Sequence, residues 1–355
     1  MEDTVATRTH RLKLIDIKIL SDTVRQLDLR PLSGGALPYR EGQFLSICLQ
    51  DKLQRSYSMA APSVHDGRIE LHVRLLPGGR FSEWLRGDAK IGEVLDVIGP
   101  FGNCTWREPP SITTQIIMLA TGTGIAPLKA MLEKVLTVKS AQPIALYWGG
   151  RTAADLYLHH YFSDLATVHQ NLRYSPVLTE PDAHWSGATG FVQTAVADDY
   201  PDLSDAIVYA CGALRMVEAA RELLTTTRRL AEGCFHADVF APATRQTTAP
   251  GNPLSLRIEL EHAGGEQRSL TTAADVSLMH ALAEAQLLRG VCGGHAACGT
   301  CLVTIAADWI EHLTPPNHNE KRLLAAMGND VATYRLACQI PLHTALNGLR
   351  LRLQA

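Results

Sequence analysis

The sequence predicts a multidomain chain: an antiparallel β-barrel, then an α/β domain with a parallel sheet, then a small α+β domain that binds metal. Three observations carry this. Short apolar runs broken by Gly, Pro and Asp fill positions 10–100. Strand and helix patterns then alternate as far as position 240. Past a polar stretch, three cysteines crowd one glycine-rich loop and a fourth follows near the end. The length, 355 residues, suits two to three domains.

Composition narrows the class. With 46% hydrophobic and 19% charged residues the chain can bury sizeable cores. A net charge of -3 argues against nucleic acid or an anionic membrane as partner. The start, MEDTVATRTHRLKL, has no apolar signal segment, and no run approaches the roughly eighteen apolar residues of a spanning helix. Cys48, Cys104, Cys211 and Cys234 are scattered through apolar surroundings, which reads as free thiols of a reducing cytoplasm. A cytoplasmic monomer is expected.

The first domain, 1–108, contains LKLIDIKIL, VRQLDLR, QFLSICL, RIELHVRLL and EVLDVIG. Their alternation, with turn residues between them, predicts an antiparallel barrel or sandwich. RSYSMAAP, positions 55–62, puts Arg55 and Tyr57 on one side of a strand. That offers a phosphate-pairing cation and a flat ring to a large aromatic ligand, with Ser58 on the other side. In LPGGRFSEWL, Gly78 and Gly79 open a turn carrying Phe81, Trp84 and Leu85, whose bare amides suit a pyrophosphate. Each motif alone describes an ordinary strand or glycine turn equally well.

The second domain, 109–242, alternates QIIMLA, PLKAMLEKVLTV, PIALYWG, AADLYLHHYFSDLA, LRYSPVL, FVQTAVADDY, AIVYACG, MVEAARELL and CFHADVF. Repeated βα units predict a parallel sheet covered on both faces. TGTGIAP follows the first strand, with Pro127 where a dinucleotide turn has its third glycine. Pro127 suits the first helical position, where a missing N–H costs nothing. Cys211 reads equally well as a small buried thiol, and His159-His160 as a solvated helix face.

A linker at 243–252, within APATRQTTAPGN, leads to the third domain, 253–355. Twelve flexible residues span about 19 Å and hold the last domain at roughly millimolar effective concentration. A hairpin turning at Gly264-Gly265 precedes a helix, VSLMHALAEAQLL, capped by Asp275. The short helix NEKRLLAAM and the strand LRLRL follow, the latter read as an exposed edge guarded by arginines. Cys292, Cys298 and Cys301 are spaced C-x5-C-x2-C, and Cys338 follows after a gap of 36 residues. Three thiolates in one loop plus a distant fourth are what a two-iron, two-sulfur cluster requires. Gly293, Gly294 and Gly299 permit the loop's backbone angles. A four-cysteine zinc site usually shows two C-x2-C pairs; here there is one. His295 is not expected to be a ligand.

In this order the motifs resemble the ferredoxin–NADP reductase superfamily, in its NADH-using oxygenase-reductase branch. R-x-[YF]-[ST] with a glycine-serine turn is that family's flavin site, and T-G-[TG]-G-x-[AT]-P is its nucleotide turn. The last domain resembles the adrenodoxin and putidaredoxin type of 2Fe-2S ferredoxin, a β-grasp fold. The resemblance implies that Arg55 holds the flavin phosphate, Tyr57 lies against the ring system and Ser58 reaches its reactive N5. Gly79, Arg80, Phe81 and Ser82 would cover the pyrophosphate. GPFGNCTWR resembles the turn of the FAD-containing members, which implies FAD, with FMN the alternative.

By the same resemblance Gly122, Thr123, Gly124 and Pro127 receive the nicotinamide cofactor. Arg151 lies near adenosine, Cys211 and Gly212 near the nicotinamide, and Asp238 and Phe240 beside the flavin. Ser58, Cys211 and Asp238 are the implied catalytic residues. GGRTAADLYL lacks a serine–arginine pair for a 2′-phosphate, which favours NADH over NADPH. Reductases of phenol hydroxylase and of CDP-6-deoxy-glucoseen synthesis are similar over the first two domains but carry their ferredoxin in front. Phthalate dioxygenase reductase carries it behind. Adrenodoxins dock basic partners through acidic residues, whereas HLTPPNHNEKRLLAAMGND is mixed in charge.

The implied function is an oxidoreductase passing electrons from NADH to flavin, to the cluster, and on to a separate terminal oxygenase, with a Rieske-type aromatic hydroxylase favoured. A cytochrome P450 or a deoxysugar dehydrase is the alternative acceptor. A redox-sensing iron–sulfur flavoprotein is the alternative of another class, which the complete RSYS, TGTGIAP and HADVF motifs disfavour.

Overall fold

The structure is a computed structural model. It describes residues 8–49, 54–63, 67–138, 141–240, 255–262, 265–274, 276–288, 290–292, 294 and 296–354. The linker, Gly264, Asp275, Gly293 and His295 lie outside the described residues. Two compact units divide the chain, Met1–Ala241 and Pro242–Ala355.

The first unit begins with six antiparallel strands: β1 (Arg8–Ser21), β2 (Val24–Pro31), β3 (Phe44–Cys48), β4 (Gln54–Ser58), β5 (Ile69–Arg74) and β6 (Val94–Phe101). Their order is β4-β3-β6-β1-β2-β5. A bridge between Met59 and Leu71 joins the two ends and closes the barrel. Alternation built it: Leu12, Leu14, Leu27, Leu29, Leu45 and Ile47 point inward and are fully buried. Helix α1 (Arg80–Gly87) plugs one end with Phe81 and Leu85.

The second sheet holds β7 (Gln115–Thr121), β8 (Ile144–Gly150), β9 (Leu172–Leu178), β10 (Ala188–Thr189), β11 (Ala206–Ala213) and β12 (Phe235–Phe240). All its pairings are parallel, in the order β10-β9-β8-β7-β11-β12. Helices α2 (Ile125–Thr137), α3 (His159–Val168), α4 (Val192–Asp199) and α5 (Leu214–Thr227) cover its faces. On β7, Ile116, Met118 and Ala120 face one helical layer, and Ile117 and Leu119 face the other. The strand order reverses between β7 and β11, and such a switch point is where open α/β sheets bind ligands.

Three local readings change. Pro127 is the third residue of α2, because a 3-10 turn, Gly122–Gly124, precedes the helix. A proline there is tolerated for the same reason, since the first four amides of a helix have no partner within it. The expected helix AADLYLHHYFSDLA is split, because Asp155 accepts from the amides of Arg151 and Thr152 and closes a separate turn. His159 is only half-solvated: its ring packs against Tyr174 and Trp185, whereas His160 is exposed.

The second unit holds β13 (Ser255–Glu261), β14 (Gln267–Ala273), α6 (Leu278–Glu284), β15 (Leu302–Ile305), α7 (His318–Ala326), β16 (Tyr334–Leu336) and β17 (Leu349–Leu353). The sheet order is β14-β13-β17-β15-β16. LRLRL, now β17, is therefore an inner strand and not an edge. Its alternating burial is as expected, but Arg350 and Arg352 pair with Asp308 and Glu261 instead of guarding an open edge. Ser277 caps α6, accepting from the His280 amide, and Asn317 caps α7.

Candidate functional site

β4 runs beside β3 with Tyr57 opposite Leu45 and Arg55 opposite Ile47. Arg55 and Tyr57 thus share one side, and Ser58 is 4% exposed at the strand's end. Burial pushes the Tyr57 hydroxyl far above its ordinary value, so it stays protonated as a donor. Gly79 is the N-cap of α1, and Ser82 turns its oxygen inward to accept from the Leu76 amide at 2.8 Å. Phe81 is buried in the barrel core against Tyr57 and Trp84. An anion at this turn would meet first-turn amides, not the Phe81 ring or the Ser82 lone pair.

The nucleotide turn is built by two glycines that interlock. A Cβ at Gly124 would strike the Cys211 carbonyl, and one at Gly212 would strike the Thr121 side chain. Gly212 also sits at φ +144°, where a side chain is strained. Thr121 Oγ1 accepts from the Ala213 amide at 3.1 Å, and Trp148 Nε1 donates to the Gly122 carbonyl at 3.1 Å. These contacts hold the ends of β7 and β11 together. Gly124→Ala is expected to wedge them apart. Loss of kcat/KM for NADH on the order of 10²-fold, with flavin still bound, would be read by steady-state kinetics; unchanged kinetics would remove the cradle from the nicotinamide site.

Cys211 is fully buried and lies opposite Asp238 in the β11–β12 register, with Ala213 opposite Phe240. A hydrogen bond with the Cys104 thiol, and burial, push the Cys211 thiol well up. It is a protonated, uncharged group. Arg151 stands apart at the end of β8, exposed, with two bonds to Glu180 at 3.1 and 3.0 Å. That carboxylate occupies the fork a 2′-phosphate would need.

The structure adds residues the sequence reading did not single out. Glu70, His72 and Arg74 alternate along β5 and face the second sheet's domain. Glu70 meets Lys129 of α2 and His72 meets Tyr157 ahead of α3, each at 3.0 Å. The Arg74 guanidinium lies beside Gly122, 3.3 Å from where a Cβ there would stand. The signal was present in RIELHVR, where every second residue is titratable on an otherwise apolar strand.

In the second unit the four cysteines fall into two pairs. Cys292 bonds to Cys298, which that bond holds down at about 6 against the opposing effect of burial. Cys301 bonds to Cys338, which is likewise lowered. Amides converge on the sulfurs: Ala297 and Gly294 on Cys292, Thr300 on Cys298, Ala296 on Cys338. Thr300 Oγ1 lies 3.1 Å from Cys298 Sγ, and Gln339 Nε2 donates to Cys338 Sγ at 3.2 Å. Donors gathered around sulfur favour thiolate, the form that binds metal. Among the described residues no three His, Cys, Asp or Glu side chains converge to hold one ion. Two pairs suit two irons with two thiolates each, which a single zinc would not use.

Comparisons with known proteins find three family matches along the chain. Residues 11–106 match the oxidoreductase FAD-binding domain, residues 118–222 the oxidoreductase NAD-binding domain, and residues 262–343 the 2Fe-2S iron-sulfur cluster binding domain. CDP-6-deoxy-L-threo-D-glycero-4-hexulose-3-dehydrase reductase of Yersinia pestis is 36% identical over 67% of this chain and 71% of its own length. The reductase component 2 of terephthalate 1,2-dioxygenase from Comamonas sp is 34% identical over 67% and 70%. The crystal structure of an Amycolatopsis cytochrome P450 reductase superposes with a TM-score of 0.62 at 27% identity, over 67% of this chain and 71% of that one.

Proposed function

The chain belongs to the family of FAD- and NAD-binding oxidoreductases with a 2Fe-2S domain. On that premise we propose that it is the NADH-dependent reductase component of a multi-protein system, feeding single electrons to a separate terminal oxygenase. One observation carries the reading: a nucleotide cradle at a sheet switch point and two cysteine pairs suited to two irons share a single polypeptide. When bound, the flavin supplies the exchange of a hydride for single electrons.

The residues divide that work. Arg55 offers a phosphate partner and Tyr57 a ring and a protonated hydroxyl on one side of β4, with Ser58 at its end. The first-turn amides after Gly79, those of Arg80 to Ser82, would receive negative charge. Gly122, Thr123 and Gly124 with Gly212 let a dinucleotide reach the backbone, and Arg74 borders the same turn. Cys211 adds a small neutral group buried behind that turn, with Asp238 across from it and Phe240 at the rim. Glu180 holds Arg151 away from a 2′-phosphate, which supports NADH as the donor. Cys292, Cys298, Cys301 and Cys338 would hold the irons. We read the domains as 1–108, 109–242 and 253–355.

We take a Rieske-type aromatic hydroxylase as the acceptor, which the Comamonas relative supports. A cytochrome P450 is the second reading, favoured by the Amycolatopsis structure and by the C-x5-C-x2-C spacing. Coupled NADH-driven turnover with one purified oxygenase of each kind separates them. Hydroxylation with the Rieske enzyme alone is expected; turnover with the P450 alone would reverse the assignment. A cytoplasmic monomer is our further reading. Eight cysteines without a disulfide support a reducing compartment.

A further inference from the structure

We infer that Lys129 is a positioning residue: it ties helix α2, which opens with the nucleotide turn, to the chain leaving the flavin-edge strand, and so sets the approach of nicotinamide to flavin. The inference deepens the reductase reading and rests on it. Lys129 is 8% exposed, and its ammonium has three protons to donate. They go to the Ala60 carbonyl at 2.9 Å, to Glu70 Oε1 at 3.0 Å and to Glu133 Oε1 at 2.9 Å. Ala60 is two residues past Ser58, and Lys129 is five past Gly124. One buried cation therefore joins the two motifs on which hydride transfer depends.

The partner is itself fully engaged. Glu70 also accepts from His72 Nε2 at 3.0 Å and from Arg68 Nη2 at 3.1 Å. Burial alone would raise its carboxyl, but the His72 bond and the Lys129 charge outweigh it and lower it to about 2. Burial keeps His72 neutral, so with Nε2 as donor its Nδ1 accepts from Tyr157 at 3.0 Å. Tyr157 stands edge-on to Trp148, which holds the Gly122 carbonyl. A second route thus reaches the same turn from the same carboxylate.

Stability alone does not call for this arrangement, because apolar contact docks two domains as well as a buried ion pair does. What three directional bonds add is a single relative position. Misplacing reacting atoms by about 1 Å can lower a rate on the order of 10²-fold. A merely structural lysine would instead lower the melting temperature and leave the chemistry of the folded fraction alone.

The test uses the full, flavin-loaded chain. Lys129→Met keeps most of the side chain's length and removes its donors. Lys129→Met with Glu70→Gln removes both charges together and stays readable where the single variant unfolds. Flavin reduction by NADH and by 4-deuterated NADH is followed anaerobically by stopped flow, alongside the nicotinamide–flavin charge-transfer absorbance and the melting curve. Reduction slowed on the order of 10²-fold, a weakened charge-transfer band and near-normal NADH affinity are expected. Wild-type reduction rate and absorbance in a variant that only melts earlier would overturn the inference. A wild-type chain whose flavin NADH does not reduce would overturn the reductase reading itself.

Discussion

Replacing Cys298 with serine is expected to abolish NADH-driven cytochrome c reduction while leaving ferricyanide reduction by the flavin unit largely intact. Cys298 is the thiol of its pair held lowest, with Cys292, Thr300 and the loop amides all donating to it. A serine hydroxyl keeps its proton at neutral pH and is a far poorer iron ligand, so one iron loses half its protein support. Outer-sphere changes at metal sites already cost about 10- to 100-fold; loss of a direct ligand is expected to exceed that. Residues Met1–Ala241 form a compact unit of their own, so flavin reduction should survive. Visible absorbance at the flavin maximum, the reduced-cluster paramagnetic signal and the two acceptor assays together read the outcome. Loss of both activities with flavin still bound would refute the separation of tasks between the units.

The second large effect is structural. Glu320, on α7, is 0% exposed, and Arg335, on β16, is 2% exposed. They make two parallel bonds of 2.8 and 3.0 Å, and Glu320 Oε1 also accepts from the Leu336 amide at 2.8 Å. Leu336 lies two residues before Cys338, and α7 packs Leu323 against the core that contains Cys301. Glu320→Ala leaves the guanidinium buried without its partner, which costs about 3–5 kcal/mol. Domains are typically stable by about 5–15 kcal/mol, so the second unit should melt far earlier and lose its cluster. Adding Arg335→Met removes the stranded charge and should restore most of the loss, as apolar replacement of buried pairs often does. Thermal melts followed at the cluster absorbance and at flavin fluorescence distinguish the units. An unchanged cluster melt in Glu320→Ala would show that the pair carries no such weight.

Much of this protein is legible in its sequence. The barrel strands, the βα alternation, the TGTG turn and the four cysteines each announce themselves within a dozen residues or through a recognisable spacing. The physics behind them is local: alternation follows from the strand's two-residue period, and glycines are needed where backbones interlock. Cap positions were less legible, since Ser277 and Asn317 compete with neighbouring polar residues of similar propensity. The pairing of Cys292 with Cys298 and of Cys301 with Cys338 had no sequence mark at all.

What the chain determined by itself, then, is its chemistry: which groups are present, and that they suit a flavin, a nicotinamide and two irons. What only the folded molecule decided is which groups meet. Lys129 and Glu70 lie 59 positions apart and carry no shared pattern, yet one bond joins them. LRLRL looks like an edge until β13 and β15 are found on either side of it. Periodicity reports which face of an element is buried, whereas the partner across that face is chosen by the packing of the whole domain.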